Sequence, residues 1–153
     1  MKKTLRLFPA MLLCILFGIS FVACGDDDDD EEITNVDRLP SNAQVFLKTY
    51  FVDYEVVKVI KDVTTPVEYE VWFRGGGKIK FNDSGDWQEV EGDMNRAVPT
   101  GFYPASIDTY VAANYAGQYI HEIDLKTYGF DVDLSSGIDL IFDAQGNFVR
   151  VDK

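Results

Sequence analysis

The spacing of apolar positions changes several times along the chain. Residues 7–22 form an almost unbroken apolar run. After a polar stretch, Ala43, Phe46, Leu47 and Phe51 recur at i, i+3, i+4 and i+8, the spacing of one buried helix face. Ile107, Tyr110, Val111 and Tyr115 repeat the pattern 64 residues later. Pro40 and Pro104 stand near the two starts, where a missing N–H costs nothing, and Ser41 or Ser106 is placed to cap. Behind each helix the period falls to two. Val57 and Val59 fall in one run, and Tyr69, Val71 and Phe73 alternate with Glu70, Trp72 and Arg74. After Gly75-Gly76-Gly77, Ile79 and Phe81 alternate with Lys78 and Lys80, and residues 87–91 close the series. The second series runs through 119–125, then Phe130, Val132 and Leu134, then Leu140 and Phe142, and ends at 148–151. Alternating runs bounded by glycine-containing turns are antiparallel hairpin signals.

Laying residues 39–62 on 103–126 aligns the two series, with Leu39-Pro40-Ser41 on Tyr103-Pro104-Ala105. The offset falls to 61 in the later strands, as if three residues near Thr64-Thr65-Pro66 were missing from the second copy. The expected fold class is therefore α+β, a tandem repeat of one helix packed on a four-stranded antiparallel sheet. Repeat one would span 37–92, a linker 93–102 and repeat two 103–153.

The apolar run near the start sits behind Lys2, Lys3 and Arg6, the arrangement of a targeting segment. It is at the short edge of what spans a bilayer, so a retained anchor is one reading. The other starts from Val22-Ala23-Cys24-Gly25, which resembles the lipobox of bacterial lipoproteins, with Phe21 departing from its usual Leu or Val. By that resemblance 1–23 is a signal peptide, Cys24 is lipidated, and 24–36 is an acidic tether. Acidic residues directly after such a cysteine resemble the surface-export signal of Bacteroidota lipoproteins. The implied location is the outer membrane, facing outward, with a periplasm-facing lipoprotein as the alternative. The only other cysteine is Cys14 in the leader, so the domain is left without a disulfide and must be held by its core.

Charge narrows the partners. Three of the 14 basic residues and none of the 26 acidic ones lie in the leader, so the rest carries 11 basic against 26 acidic groups, a formal −15. Such a body repels nucleic acid and anionic lipid. Asp26 to Asp30 with Glu31-Glu32 reads as a solvated, self-repelling spacer.

No catalytic constellation is visible, and no enzyme, cofactor or metal is expected. His121 is the only histidine, which leaves triad hydrolysis without support. Asn82, Asp83, Ser84 and Asp86, with Asp139, Asp143 and Asn147, offer oxygens to calcium. Their spacing is not that of an EF-hand, and tight turns demand the same residues. Gly75 to Gly77 lacks the lysine and helix of a phosphate loop.

The outward strand positions are more informative. Glu70, Trp72, Arg74, Lys78 and Lys80 share one face of the first series. Asp131, Asp133, Ser135, Asp139 and Ile141 share the matching face of the second. Trp72, Arg74, Lys78 and Lys80, complemented by Asp131, Asp133 and Asp139, are the expected protein-binding residues. The bland alternative is that the two halves neutralise one another. With aromatics at 14% of the chain, a glycan or small-ligand platform is the second reading.

From residue 37 onward the chain resembles the PepSY-like family of Bacteroidota lipoproteins, whose fold is compared with the β-lactamase inhibitor protein. The residues that carry the resemblance are the Leu39-Pro40 and Tyr103-Pro104 helix starts and the strand-turn-strand endings 79–87 and 140–148. The resemblance implies a sheet open to a partner and binding or inhibition of a secreted or envelope protein. It carries no catalytic residues.

Overall fold

A computed structural model describes residues 30–32, 35–93 and 95–152. The leader, Cys24 and Asp26 to Asp29 lie outside the described residues. Among those described, no helix is long and apolar enough to cross a membrane.

The elements in chain order are β1 (Asp30–Glu32), a 3-10 turn (Val36–Arg38), α1 (Ser41–Tyr50), β2 (Val56–Asp62), β3 (Glu68–Phe73), β4 (Lys78–Asn82) and β5 (Trp87–Glu91). Then follow α2 (Ala105–Asn114), β6 (Ile120–Lys126), β7 (Gly129–Leu134), β8 (Asp139–Asp143) and β9 (Phe148–Val151). All the strands join one antiparallel sheet whose order is the order of the chain.

The tandem of two four-stranded sheets does not form. β5 pairs with β6 through Glu89↔Asp124, Val90↔Ile123 and Glu91↔Glu122, so the sheet crosses the expected boundary without a break. The physical reason is backbone satisfaction: as separate units, β5 and β6 would each be an edge with a row of unpaired groups. Paired, they also let Val90 and Ile123, both fully buried, join the two halves of one core. Both helices pack on the same side of that sheet, and their apolar faces belong to a single cluster that runs from Leu39 to Phe142. Phe102 packs between α1 and β5, lying 5.1 Å from Phe46 and 5.0 Å from Trp87 between ring centroids.

The acidic spacer is also shorter than expected. Asp30–Glu32 runs antiparallel to β2, with Glu31 opposite Lys61. A backbone that can be hydrogen-bonded at a sheet edge gains more there than charge repulsion along three residues costs it.

The helices carry the predicted buried positions, Ala43 and Leu47 in α1, Ile107 and Val111 in α2. The caps differ from the expectation, because Pro40 and Pro104 take the N-cap positions and neither makes a side-chain capping bond. The helix starts are held instead by the hairpin turns beneath them. Gly85 and Gly146 have φ of +81° and +77°. A Cβ on Gly85 would lie 2.8 Å from Pro40 Cβ, and one on Gly146 would lie 2.6 Å from Pro104 Cβ. Glycine is needed there twice over, for the backbone and for the close approach. Ser106 Oγ adds a hydrogen bond to the Gly146 carbonyl at 2.9 Å.

Candidate functional site

The helices cover one face of the sheet, and the strand pleat sends the polar residues to the other. Register then sorts them into rows. In one row Lys58, Trp72 and Lys78 are followed across the sheet by Glu91, Glu122, Asp133 and Asp139. In the next, Glu70 and Lys80 are followed by Glu89, Asp124, Asp131 and Ile141. Residues directly opposite on neighbouring strands stand about 5 Å apart, so each row is a line of interacting side chains.

The basic end is closed by its own neighbours. Lys78 Nζ lies 2.9 Å from Glu89 Oε1, and Lys80 Nζ lies 3.0 Å from Glu89 Oε2 and 3.8 Å from Glu70. Burial pulls the Glu89 carboxyl upward, but the hydrogen bonds from Lys78 and Lys80 outweigh it and hold it below the usual range. Trp72 Nε1 donates to Glu70 at 3.2 Å, and Lys78 Nζ sits 5.6 Å from its ring centroid, a cation–π distance. Arg74 follows the end of β3 and is engaged elsewhere, donating to Glu55 Oε1 at 2.7 Å.

The acidic end is closed only in part, by Lys126 Nζ at 2.6 Å from Asp124 Oδ2. Asp133 and Asp139 face each other directly, and neither side chain accepts a hydrogen bond or forms an ion pair among the described residues. Asp131 accepts from the Tyr128 hydroxyl at 2.7 Å. Like charges placed opposite each other are destabilising. Glu122 answers by holding its proton: burial, then the charges of Glu89, Asp124, Asp133 and Glu91, push its carboxyl up to about 7. Burial and then Asp139 raise Asp133 as well, with His121 opposing. Carboxylate oxygens of Glu89, Glu122 and Asp124 lie within 4.8 Å of one another, a grouping that can hold a cation.

Sequence reasoning brought Trp72, Lys78, Lys80, Asp131, Asp133 and Asp139 to one face, and the structure places them there. It missed Glu89, Glu91, Glu122 and Asp124. Alternation within β5 and β6 contained them, but only the pairing of those two strands reveals that they meet.

The other sequence candidates resolve simply. Asn82 Oδ1 accepts from the Ser84 and Asp86 amides at 3.0 and 2.9 Å, and Asp143 Oδ1 accepts from Gln145 and Asn147, both at 2.9 Å. These side chains close their own turns. His121 lies 3.9 Å from Glu91 and lines an open cavity of about 300 Å³ with Tyr119, Asp133, Ser135 and Asp139. Trp87 is on the helix side, against Phe102 and Phe130, so the described residues put no aromatic platform on the open face.

Helices on one face of a single antiparallel sheet, with a charged face opposite that no described element covers, define a two-layer α+β class. Within that class the chain belongs to the PepSY-like family: the family described as "Putative beta-lactamase-inhibitor-like, PepSY-like" matches residues 67–150. Several solved structures are similar, three of them as follows. A "putative calcium-regulated periplasmic protein" from Bacteroides thetaiotaomicron is 33% identical with a TM-score of 0.76, covering 82% of this chain and 98% of its own. A "putative periplasmic protein" from Bacteroides vulgatus is 35% identical with a TM-score of 0.74, covering 83% and 99%. A second protein from B. vulgatus, described as of unknown function, is 28% identical with a TM-score of 0.73, covering 81% and 99%. No curated protein matches the chain.

Proposed function

We propose that this is a non-catalytic envelope lipoprotein that binds a protein partner through the open face of its sheet. The acidic end of that face makes the contact, and the partner presents a basic surface. One observation carries the reading: Asp133 and Asp139 stand opposite one another on the open face, and among the described residues neither forms an ion pair with a lysine or arginine. Lys78 and Lys80 are already held by Glu89, so they shape and orient the face while Asp131, Asp133 and Asp139 attract. Trp72, flanked by Lys78, is the apolar contact at the basic end, and Arg74 lies at its margin. The capture of proteins from envelope and secretome extracts tests this. Asp131→Lys with Asp133→Lys should abolish capture, while Lys78→Met with Lys80→Met should weaken it less. Capture that survives the acidic-end variant defeats the reading.

Location is part of the proposal. Lipidation at Cys24 would hold the protein at the outer membrane, facing outward. The periplasmic descriptions of the similar structures support an envelope location and leave the side of the membrane to experiment. Labelled palmitate should enter the wild-type chain and not Cys24→Ala. Protease added to whole cells should reach a surface-facing domain.

A second reading has its own support. The Glu89, Glu122 and Asp124 oxygens suit a hard cation, and one similar protein is described as calcium-regulated. Three carboxylates fixed on a sheet leave several coordination positions to water, which points to the weak, extracellular range of affinity. Calorimetric titration with calcium chloride should give heat that Asp124→Asn removes. No heat at millimolar calcium rejects it.

A further inference from the structure

The two ends of the sheet are finished differently. At one end β1 covers part of the β2 edge, pairing from Asp30↔Asp62 to Glu32↔Ile60. At the other, β9 has β8 on its inner side and, among the described residues, no strand outside it. The amide of Asp152 donates to the Asp139 carbonyl at 2.7 Å, and Arg150 is in register with Ile141. Since antiparallel strands turn alternate residues toward each neighbour, Arg150 and Asp152 bond inward and the N–H and C=O of Val151 point away from the sheet. Val149 and Val151 are 55% and 52% exposed. Beside them lies an apolar cavity of about 230 Å³ lined by Tyr128, Ile141, Phe142, Val149 and Arg150.

Such edges can template the addition of another strand, and natural proteins blunt them with charged side chains, proline, short strands or bulges. β9 is short and carries Arg150 but no lysine or proline. The charges that flank Val151 are instead of opposite sign. Arg150 and Asp152 pair at 3.0 Å with both side chains about half exposed. A strand that reads cation, valine, anion complements itself when run in reverse. Two copies paired antiparallel about a two-fold axis at Val151 set each Arg150 opposite the partner's Asp152. Those positions form the non-hydrogen-bonded pairs of such a ladder, where side chains approach most closely. The Val151 residues exchange both backbone hydrogen bonds. The open face ends in carboxylates. Two copies meeting there would repel, whereas at β9 the opposed charges balance.

We propose that β9 is the contact between two copies of this chain, which join edge to edge into one continuous sheet. Such an interface is isologous and closes at two copies. A register irregularity at the start of β9 limits the regular stretch to about three residues, so the dimer is weak and reversible. It leaves both open faces free and turned the same way.

Oxidative crosslinking of the full chain in cells tests the geometry. Val151→Cys places two sulfurs on the two-fold axis at a Cα separation of about 5.5 Å, within the range a disulfide spans. It should give a crosslinked dimer, and Val52→Cys, which is still more exposed, should not. In the Val151→Cys background, Arg150→Asp or Asp152→Arg alone should lower the dimer about fivefold or more by setting like charges opposite. The two together should restore it. Restoration cannot come from a folding defect, so it separates a lost contact from a damaged domain. No dimer at Val151, or a double variant no better than the singles, overturns the proposal.

Discussion

Lys80 on β4 and Asp131 on β7 stand in the same row of the open face, three strands apart. Lys80 has a carboxylate on each side, Glu70 at 3.8 Å and Glu89 at 3.0 Å. Asp131 has Asp124 on one side and Ile141 on the other. The pleat, spacing and exposure are alike, and only the cross-strand neighbours differ. The basic half answers its charges internally; in the acidic half Lys126 reaches Asp124 and Tyr128 reaches Asp131, while Asp133 and Asp139 have no side-chain partner among the described residues. Register decides this, because the residue types alone suggested a basic half facing an acidic half.

The largest test asks whether the two halves are one body. Phe81 and Phe142 are fully buried beneath the basic and acidic ends respectively. Replacing either by alanine should cost about 3–5 kcal/mol and lower a single shared unfolding transition. Two separable transitions in a denaturant titration would divide the halves again.

A smaller effect should distinguish them electrostatically. In the folded chain Glu122 keeps its proton up to about 7, above its value when unfolded. Its contribution to stability is therefore fully present below the unfolded carboxylate range and lost as pH rises toward neutrality and past it. Glu122→Gln, neutral throughout, should gain on the wild type above neutral pH and match it in acid. With the discount for a half-exposed group, the gain is about 1 kcal/mol near pH 8. The same substitution scheme applied to Glu89 should lose stability instead, since it strips Lys78 and Lys80 of their acceptor. Equal responses would erase the contrast.

The smallest effect belongs to Arg74. Its pair with Glu55 is exposed, and such pairs contribute little and are screened by salt. Arg74→Ala should leave the unfolding midpoint within error in high salt, and a clear loss there would mean that this turn supports the face.

The helices and most strands were legible because their apolar spacing is regular: Ala43, Leu47, Ile107 and Val111 are buried where period 3.6 puts them. Alternation also put Trp72, Lys80, Asp131 and Asp133 on their correct face. The seam was not legible. β5 and β6 are separated by α2 and its connections, and nothing local in residues 87–91 announces that Ile120–Lys126 will lie beside them. Everything that depends on the seam followed it out of reach: the single sheet, the role of Glu89, and the proton on Glu122. Asp30–Glu32 was missed for a different reason. Its composition reads as solvated, and only a free edge on β2 makes a strand of it.

The strand order, identical to the order along the chain, has a consequence for how the protein assembles. Nearly every pairing joins segments a short turn apart, so each new strand closes a small loop, the condition for rapid folding. The exceptions are β1 with β2, across α1, and β5 with β6, across α2. The second of these closures sets Glu89 and Glu91 beside Glu122 and Asp124. Closing that seam drives carboxylates together and raises the proton affinity of Glu122. A refolding rate that falls as pH passes neutrality would mean that the seam is formed in the transition state, and a pH-independent rate would place it after that barrier.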